Sequence, residues 1–145
     1  MKNILVTVTF EEKETQILLE KARSIAEKFG SKLWLVHIAA PNPDFIGYDV
    51  GPQYIRDHRA GELKKEHNLL KKYADEFKEK NIEAEGLLVQ GATVDMILKE
   101  SAKLKIDLVI IGHHKHNLLH KIFIQDIDET IAHESNVPVL MVPFS

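Results

Sequence analysis

The chain has 145 residues, of which 44% are hydrophobic and 28% charged, as is typical of one globular domain. A formal net charge of -3 argues against nucleic-acid binding, and the absence of cysteine excludes disulfides, thiolate metal sites and a cysteine nucleophile. No apolar run approaches the length of a membrane span, so we expect a cytoplasmic protein that binds neither nucleic acid nor membrane.

Strands and helices alternate along the chain, and we expect a single domain over residues 1–145. The predicted elements are, in chain order, strand 3–8, helix 11–29, strand 32–38, helix 58–81, strand 84–89, helix 93–104, strand 107–111, helix 126–135 and strand 137–142. In the first helix, Leu18, Ala22 and Phe29 recur on one face, and Gly30 supplies the stop. Residues 39–57, rich in proline and glycine, predict an irregular insert whose length suggests a functional or mobile segment.

This alternation predicts an α/β fold in which a five-stranded parallel sheet carries helices on both faces. Ligands of such sheets bind at the carboxyl ends of the strands, where the strand order reverses. If the first and fourth strands are neighbours, residues 9–11 and 112–114 line that crevice.

The last strand is predicted to lie at an edge of the sheet, because Pro138 has no N–H to donate to a central ladder. An apolar edge strand invites pairing with another chain. We therefore expect a homodimer through this strand, formed by Val137, Val139, Leu140, Met141 and Val142.

Residues 112–126 occupy the position of a phosphate-binding loop but contain a single glycine, Gly112. They also contain four histidines, namely His113, His114, His116 and His120. His116 and His120 are four positions apart and would share a helix face, as zinc ligands often do. A solvated polar loop is the simpler interpretation, and a metal or proton sensor built on His113 to His120 is an alternative.

Several segments resemble the universal stress protein family: NILVTVT at the start, LWLVHIA in the second strand, LLVQGATVDMIL after the third, DLVIIG in the fourth and SNVPVLMVP at the end. The insert PDFIGYDVGPQYIRD is similar to that of a bacterial subgroup. The resemblance covers essentially the whole chain. It implies an adenine nucleotide alpha hydrolase-like sheet of strand order 3-2-1-4-5, dimerisation through the last strand, and a cytoplasmic role in stress survival.

Many members of this family bind ATP through a pattern of glycine, two residues, glycine, nine residues, then glycine and a serine or threonine. On this chain Gly112 matches the first glycine, whereas Lys115 and Gln125 replace the other two and Asp126 replaces the hydroxyl residue. Thr9 stands where the family usually has an acidic residue that contacts adenine. The resemblance thus implies the fold but a degenerate nucleotide crevice, to which we also assign His37, expected to have a backbone partner.

Asp126 precedes the predicted fourth helix, where aspartate is a favoured N-cap, and Glu129 stands three residues later in the capping-box position. A phosphate about 4 Å from that carboxylate would be repelled by about 4 kcal/mol per unit charge at an effective dielectric near 20. Asp128 would add to the repulsion, and AMP or adenosine would suffer less than ATP. At the other strand end, Thr9 is predicted to N-cap the first helix with Glu12.

We therefore expect a dimeric binding or signalling module of the stress response that does not bind ATP and has an unidentified protein partner. Since no nucleophile, base and orienting acid stand together in a motif, we expect no enzymatic activity. The alternative is an adenine-nucleotide binder with weak or no ATPase activity, in which Lys115 and Lys121 replace the glycines.

Overall fold

The computed structural model describes residues 1–39, 53–113 and 127–144. Within these ranges, strands and helices alternate as the sequence predicts. They are, in chain order, β1 (Asn3–Thr7), α1 (Glu12–Phe29), β2 (Lys32–Ala39), α2 (Gln53–Glu79), β3 (Ala84–Gln90), α3 (Thr93–Lys103), β4 (Leu108–His113), α4 (Ile127–Glu134) and β5 (Val139–Pro143). No helix in the described ranges is both long enough and apolar enough to span a membrane.

The five strands form one parallel sheet in the order β3-β2-β1-β4-β5, which confirms the predicted fold class and strand order. β1 lies at the centre and pairs with β2 on one side and with β4 on the other. After β1 the chain adds β2 and β3 on one side of it, and then crosses to add β4 and β5 on the other side. The reversal of strand order falls between β1 and β4, as predicted.

Each face of the sheet carries its own apolar core. On one face, α1 and α2 pack against the side chains of β1, β2 and β4 that include Ile4, Leu33 and Ile110. On the other face, α3 and α4 contribute Ile97 and Ile131 to a second buried cluster. Because side chains alternate between the faces along a strand, neighbouring residues at a strand end contact different helices.

α1 shows where helical periodicity predicted burial well and where it did not. Leu18 and Ala22 are fully buried, and Gly30 ends the helix in the left-handed conformation at φ 64°. Phe29, predicted on the same face, is 58% exposed. Phe29 is the last residue of α1, where helical periodicity no longer predicts burial.

Two predicted boundaries differ from the structure in the middle of the chain. α2 begins at Gln53, so residues 53–57 are helical rather than part of an irregular insert, and Ala39 belongs to β2. Residues 40–52, the rest of the predicted insert, lie outside the described residues. β4 extends through Gly112 and His113, which the sequence assigned to the following loop.

The predicted edge position of the last strand is confirmed, but its start is not. β5 begins at Val139, so Val137 and Pro138 lie before it, and the proline within the strand is Pro143. Val109 N donates to the Pro138 carbonyl and Phe144 N donates to the His113 carbonyl. Backbone groups at even-numbered positions thus face β4, and Pro143, at an odd position, faces the open edge, where its missing N–H breaks no ladder bond.

Candidate functional site

The candidate site lies at the carboxyl ends of β1, β2 and β4, where the sheet order reverses. Residues 8–10 follow β1, His37 lies near the end of β2, and Gly112 and His113 end β4. The fold therefore brings the predicted residues Thr9, His37 and Gly112 to one edge of the sheet.

Thr9 does not N-cap α1 with Glu12, contrary to the prediction. The N-cap is Glu11, whose carboxylate accepts a hydrogen bond from Glu14 N at 2.8 Å. Thr9 instead donates its hydroxyl to the Glu14 carboxylate at 3.4 Å, and its carbonyl accepts from the Thr15 hydroxyl. The capping prediction failed because α1 begins three residues after Thr9, so that the Glu11 side chain is the one beside the first free amides. A carboxylate therefore occupies the positive end of α1 at the crevice.

Gly112 has a packing role that the sequence did not predict. It lies inside β4, paired with Val142, and its φ is not positive. A Cβ built on Gly112 would overlap the ring of Phe144, which follows β5 and packs with the core on the α1 and α2 face. Here glycine makes room for an aromatic ring, whereas the phosphate-loop pattern assigns it to close backbone approach by a ligand.

His113 points to the opposite face of the sheet and pairs with Asp128 of α4. His113 Nδ1 hydrogen-bonds to Asp128 Oδ2, and the Asp128 side chain is only 9% exposed. The sequence interpretation treated Asp128 as added repulsion toward a phosphate and His113 as part of a solvated loop. In the structure the two are hydrogen-bonded to each other and join the end of β4 to the start of α4.

His37 has the backbone partner that the sequence predicted. Its Nδ1 lies 2.8 Å from the Val8 carbonyl oxygen, and its ring lies against Phe10, with 4.3 Å between ring centroids. His37 Nε2 faces Oε2 of Glu66, on α2, at 4.0 Å. The Glu66 oxygen is buried and has no hydrogen-bond partner in the part of the chain that the structure describes.

The remaining predicted site residues lie outside the described residues, namely Lys115, His116, His120, Gln125 and Asp126. The predicted capping of the fourth helix by Asp126 therefore stays a prediction, as does the sensor formed by His113 to His120. Among residues 1–39, 53–113 and 127–144, no group of three or more candidate ligands is arranged to hold a metal ion.

The sequence did not predict that Glu66 and Phe144 belong to this site. It also did not predict that Asp128 pairs with a histidine. Glu66 carried a detectable signal. Leu63, Leu70, Tyr73 and Phe77 mark the core-facing stripe of α2, and position 66 falls on that stripe with the same alternating spacing of three and four. A carboxylate at a core-facing position requires a partner or a function. Phe144 and Asp128 carried no such signal, because their partners come from β4 through sheet register.

Comparison of the sequence with known proteins shows which family has this fold. The model of the Universal stress protein family matches residues 1–143. A universal stress protein of Helicobacter pylori is 35% identical over 97 residues, which cover 67% of this chain and 69% of that protein.

Two solved structures share the fold at low identity. A universal stress protein in complex with cAMP has a TM-score of 0.69 and 18% identity, with 99% of this chain and 98% of that one covered. A universal stress protein family member from Arabidopsis thaliana with AMP bound has a TM-score of 0.68 and 16% identity, with coverage of 99% and 92%.

Proposed function

This chain belongs to the universal stress protein family, and from that premise we propose that it is a non-catalytic, dimeric binding module of the cytoplasmic stress response. Its ligand is an adenine mononucleotide, bound at the carboxyl ends of β1, β2 and β4, and ATP is excluded. The observation that carries this proposal is a crevice at the strand-order reversal that is flanked by carboxylates at the N-terminal ends of α1 and α4.

The position of the crevice supports a nucleotide as the ligand. Open parallel sheets bind ligands outside the carboxyl ends of their strands, at the point where the order reverses. Two proteins of the same fold hold adenine monophosphates, cAMP in one and AMP in the other. The exposed sides of His37 and Phe10 offer this crevice an aromatic wall suited to a base.

The charges around the crevice support a monophosphate over ATP. Glu11 caps α1 by accepting from Glu14 N, and the Glu14 carboxylate also lies at this helix end, so an anion there would meet two carboxylates. Glu129 lies in the first turn of α4, the other helix end on this side, whereas Asp128 beside it is hydrogen-bonded to His113. Each added phosphate charge within about 4 Å of an uncompensated carboxylate would cost about 4 kcal/mol at an effective dielectric near 20. ATP brings more such charges than AMP.

Assembly through β5 is supported by the open edge of that strand. Met141 is 41% exposed, and the backbone groups of Val139 and Met141 face away from β4. The proposed interface comprises Val139–Pro143 without Val137, and it ends at Pro143 because proline offers no donor to a partner strand. Symmetric pairing of this edge would cover the exposed methionine.

Calorimetry and thermal shift with AMP, cAMP, ADP and ATP, each with and without magnesium, test the ligand class. We expect AMP to bind at least tenfold more tightly than ATP. Submillimolar ATP binding equal to that of AMP would overturn the exclusion of ATP, and turnover of ATP would overturn the non-catalytic role.

A double change tests why ATP is excluded. Gln125→Gly with Asp126→Ser restores the glycine and hydroxyl residues of the family pattern and removes one carboxylate, so ATP affinity should rise. Asp95→Ser, a matched change in the first turn of α3, should leave ATP affinity unchanged. Equal ATP affinities for the double variant and wild type would contradict the capping argument.

A further inference from the structure

The hydrogen bond of His37 determines which of its ring nitrogens carries the proton. The Val8 carbonyl oxygen can only accept, so Nδ1, 2.8 Å away, carries the hydrogen. In the neutral ring Nε2 is then an acceptor. Contact with the Phe10 ring, 4.3 Å away between centroids, holds the imidazole in this orientation.

Glu66 places a second acceptor opposite that nitrogen. Its Oε2 lies 4.0 Å from His37 Nε2, which is too far for a direct hydrogen bond. The oxygen is shielded from solvent and has no hydrogen-bond partner among the described residues. Two acceptors therefore face each other across a gap between the middle of α2 and the last part of β2.

The gap fits one donor atom that carries two hydrogens. An atom about 2.9 Å from each acceptor spans a separation of this size, with both hydrogen bonds slightly bent. A primary amino group on a planar heterocycle has that geometry, whereas a carbonyl oxygen would present a third acceptor. The side chains of His37 and Glu66 are 21% and 25% exposed, so neither is sealed from solvent, and binding would require a rotation of Glu66 that exposes its buried Oε2.

We propose that His37 Nε2 and Glu66 Oε2 form the subsite that binds the amino group of the ligand's base and so select 6-aminopurines over 6-oxopurines. This inference rests on the proposed function, which it deepens by naming the residues that read the base. Glu66 acts as the specificity-determining residue. His37 is the positioned acceptor, fixed by Val8 and Phe10.

The test compares AMP with IMP by calorimetry at pH 8. The two nucleotides differ at position 6 of the base, amino in one and oxo in the other. We expect wild type to prefer AMP at least tenfold, because a site built around two acceptors, one of them buried, rejects a ligand that cannot donate. In Glu66→Gln a small rotation of the side chain lets the new amide donate to His37 Nε2, so AMP affinity should fall about tenfold and the preference should disappear.

Glu79→Gln, the same change at an exposed position near the end of α2, should keep the wild-type preference. The melting temperature of Glu66→Gln without nucleotide should equal or exceed that of wild type, because the amide satisfies the unpaired acceptor. Equal binding of AMP and IMP by wild type, or an unchanged preference in Glu66→Gln, would overturn this inference and leave the proposed function standing. If neither nucleotide binds, the proposed function fails and this inference fails with it.

Discussion

Replacement of Gly112 by alanine distinguishes a packing glycine from a ligand-binding glycine. In the structure the new Cβ would overlap three ring atoms of Phe144, and β4 and β5 are paired on both sides of the contact. Relief requires a shift of the ring or of the strands, and overpacking of this kind typically costs about 1–3 kcal/mol. We therefore expect Gly112→Ala to lower the free energy of unfolding by that amount.

The same change at Gly61 is the matched control. Gly61 lies within α2, and a Cβ there would meet nothing within 4 Å. Alanine in a helix restricts the unfolded chain and favours the helix, so Gly61→Ala should raise the free energy of unfolding by about 0.5–1 kcal/mol. If the free energy of unfolding falls in Gly112→Ala and rises in Gly61→Ala, the loss at Gly112 comes from the contact with Phe144 and not from alanine itself.

A double-mutant cycle with Phe144→Ala isolates the contact. Once the ring is removed, Gly112→Ala should cost at least about 1 kcal/mol less than in wild type, since residues in contact couple by about 0.5–3 kcal/mol. The assay is equilibrium urea unfolding, with unchanged slopes required for comparison. Equal costs in both backgrounds would refute the packing role, as would a Gly112→Ala variant of wild-type stability that binds nucleotide less tightly.

Three further predictions concern pairs and surfaces described above. Asp128→Asn should lower the free energy of unfolding by about 1–3 kcal/mol, because His113 loses a buried charged partner; urea midpoints equal to wild type would contradict this. Hydrogen bonds donated by the backbone N–H groups of residues 3 and 2 hold the pKa of Asp107 below its ordinary value. Its stabilising effect is therefore present above the unfolded-state pKa of about 3.9 and is lost as the pH falls through the lower folded-state pKa. Asp107→Asn should thus melt at a lower temperature than wild type at pH 7, with the difference shrinking below about pH 3; a pH-independent difference would count against the argument. Met141→Lys should give a monomer by light scattering, whereas Ile17→Lys, at an equally exposed apolar position (39% against 41%), should leave the dimer intact; a dimeric Met141→Lys would exclude the proposed interface.

The sequence predicted the order and type of the elements because those depend on local patterns. Apolar runs of strand length, amphipathic stretches and Gly30 act within a few residues of themselves. The family resemblance then supplied the strand order. The boundaries at Gln53 and Val139 were missed because helix α2 extends back through residues with turn-forming neighbours, and because Pro138 contributes a carbonyl to β4 without entering the strand.

The site was predictable in position but not in its contacts. The carboxyl ends of the strands follow from topology, so Thr9, His37 and Gly112 were placed correctly at one edge. Thr9 bonds to Glu14, His37 faces Glu66 and Gly112 packs against Phe144; the last two contacts depend on which face of the sheet each residue presents. Faces follow from strand register, which the sequence specifies only through the completed sheet.

The central position of β1 has a consequence for the order in which the chain folds. Asn3 is joined to Trp34, 31 positions away, on the β2 side, and to Asp107, 104 positions away, on the β4 side. Closing the longer loop costs about 1 kcal/mol more in chain entropy, so we expect pairing with β2 to precede pairing with β4. Until β4 arrives, the apolar edge formed by Ile4, Leu5 and Val6 stays open to other chains. Changes that remove the hydrogen bonds between Asp107 and the start of β1 should therefore increase aggregation during refolding, even where the free energy of unfolding of the native protein falls only slightly.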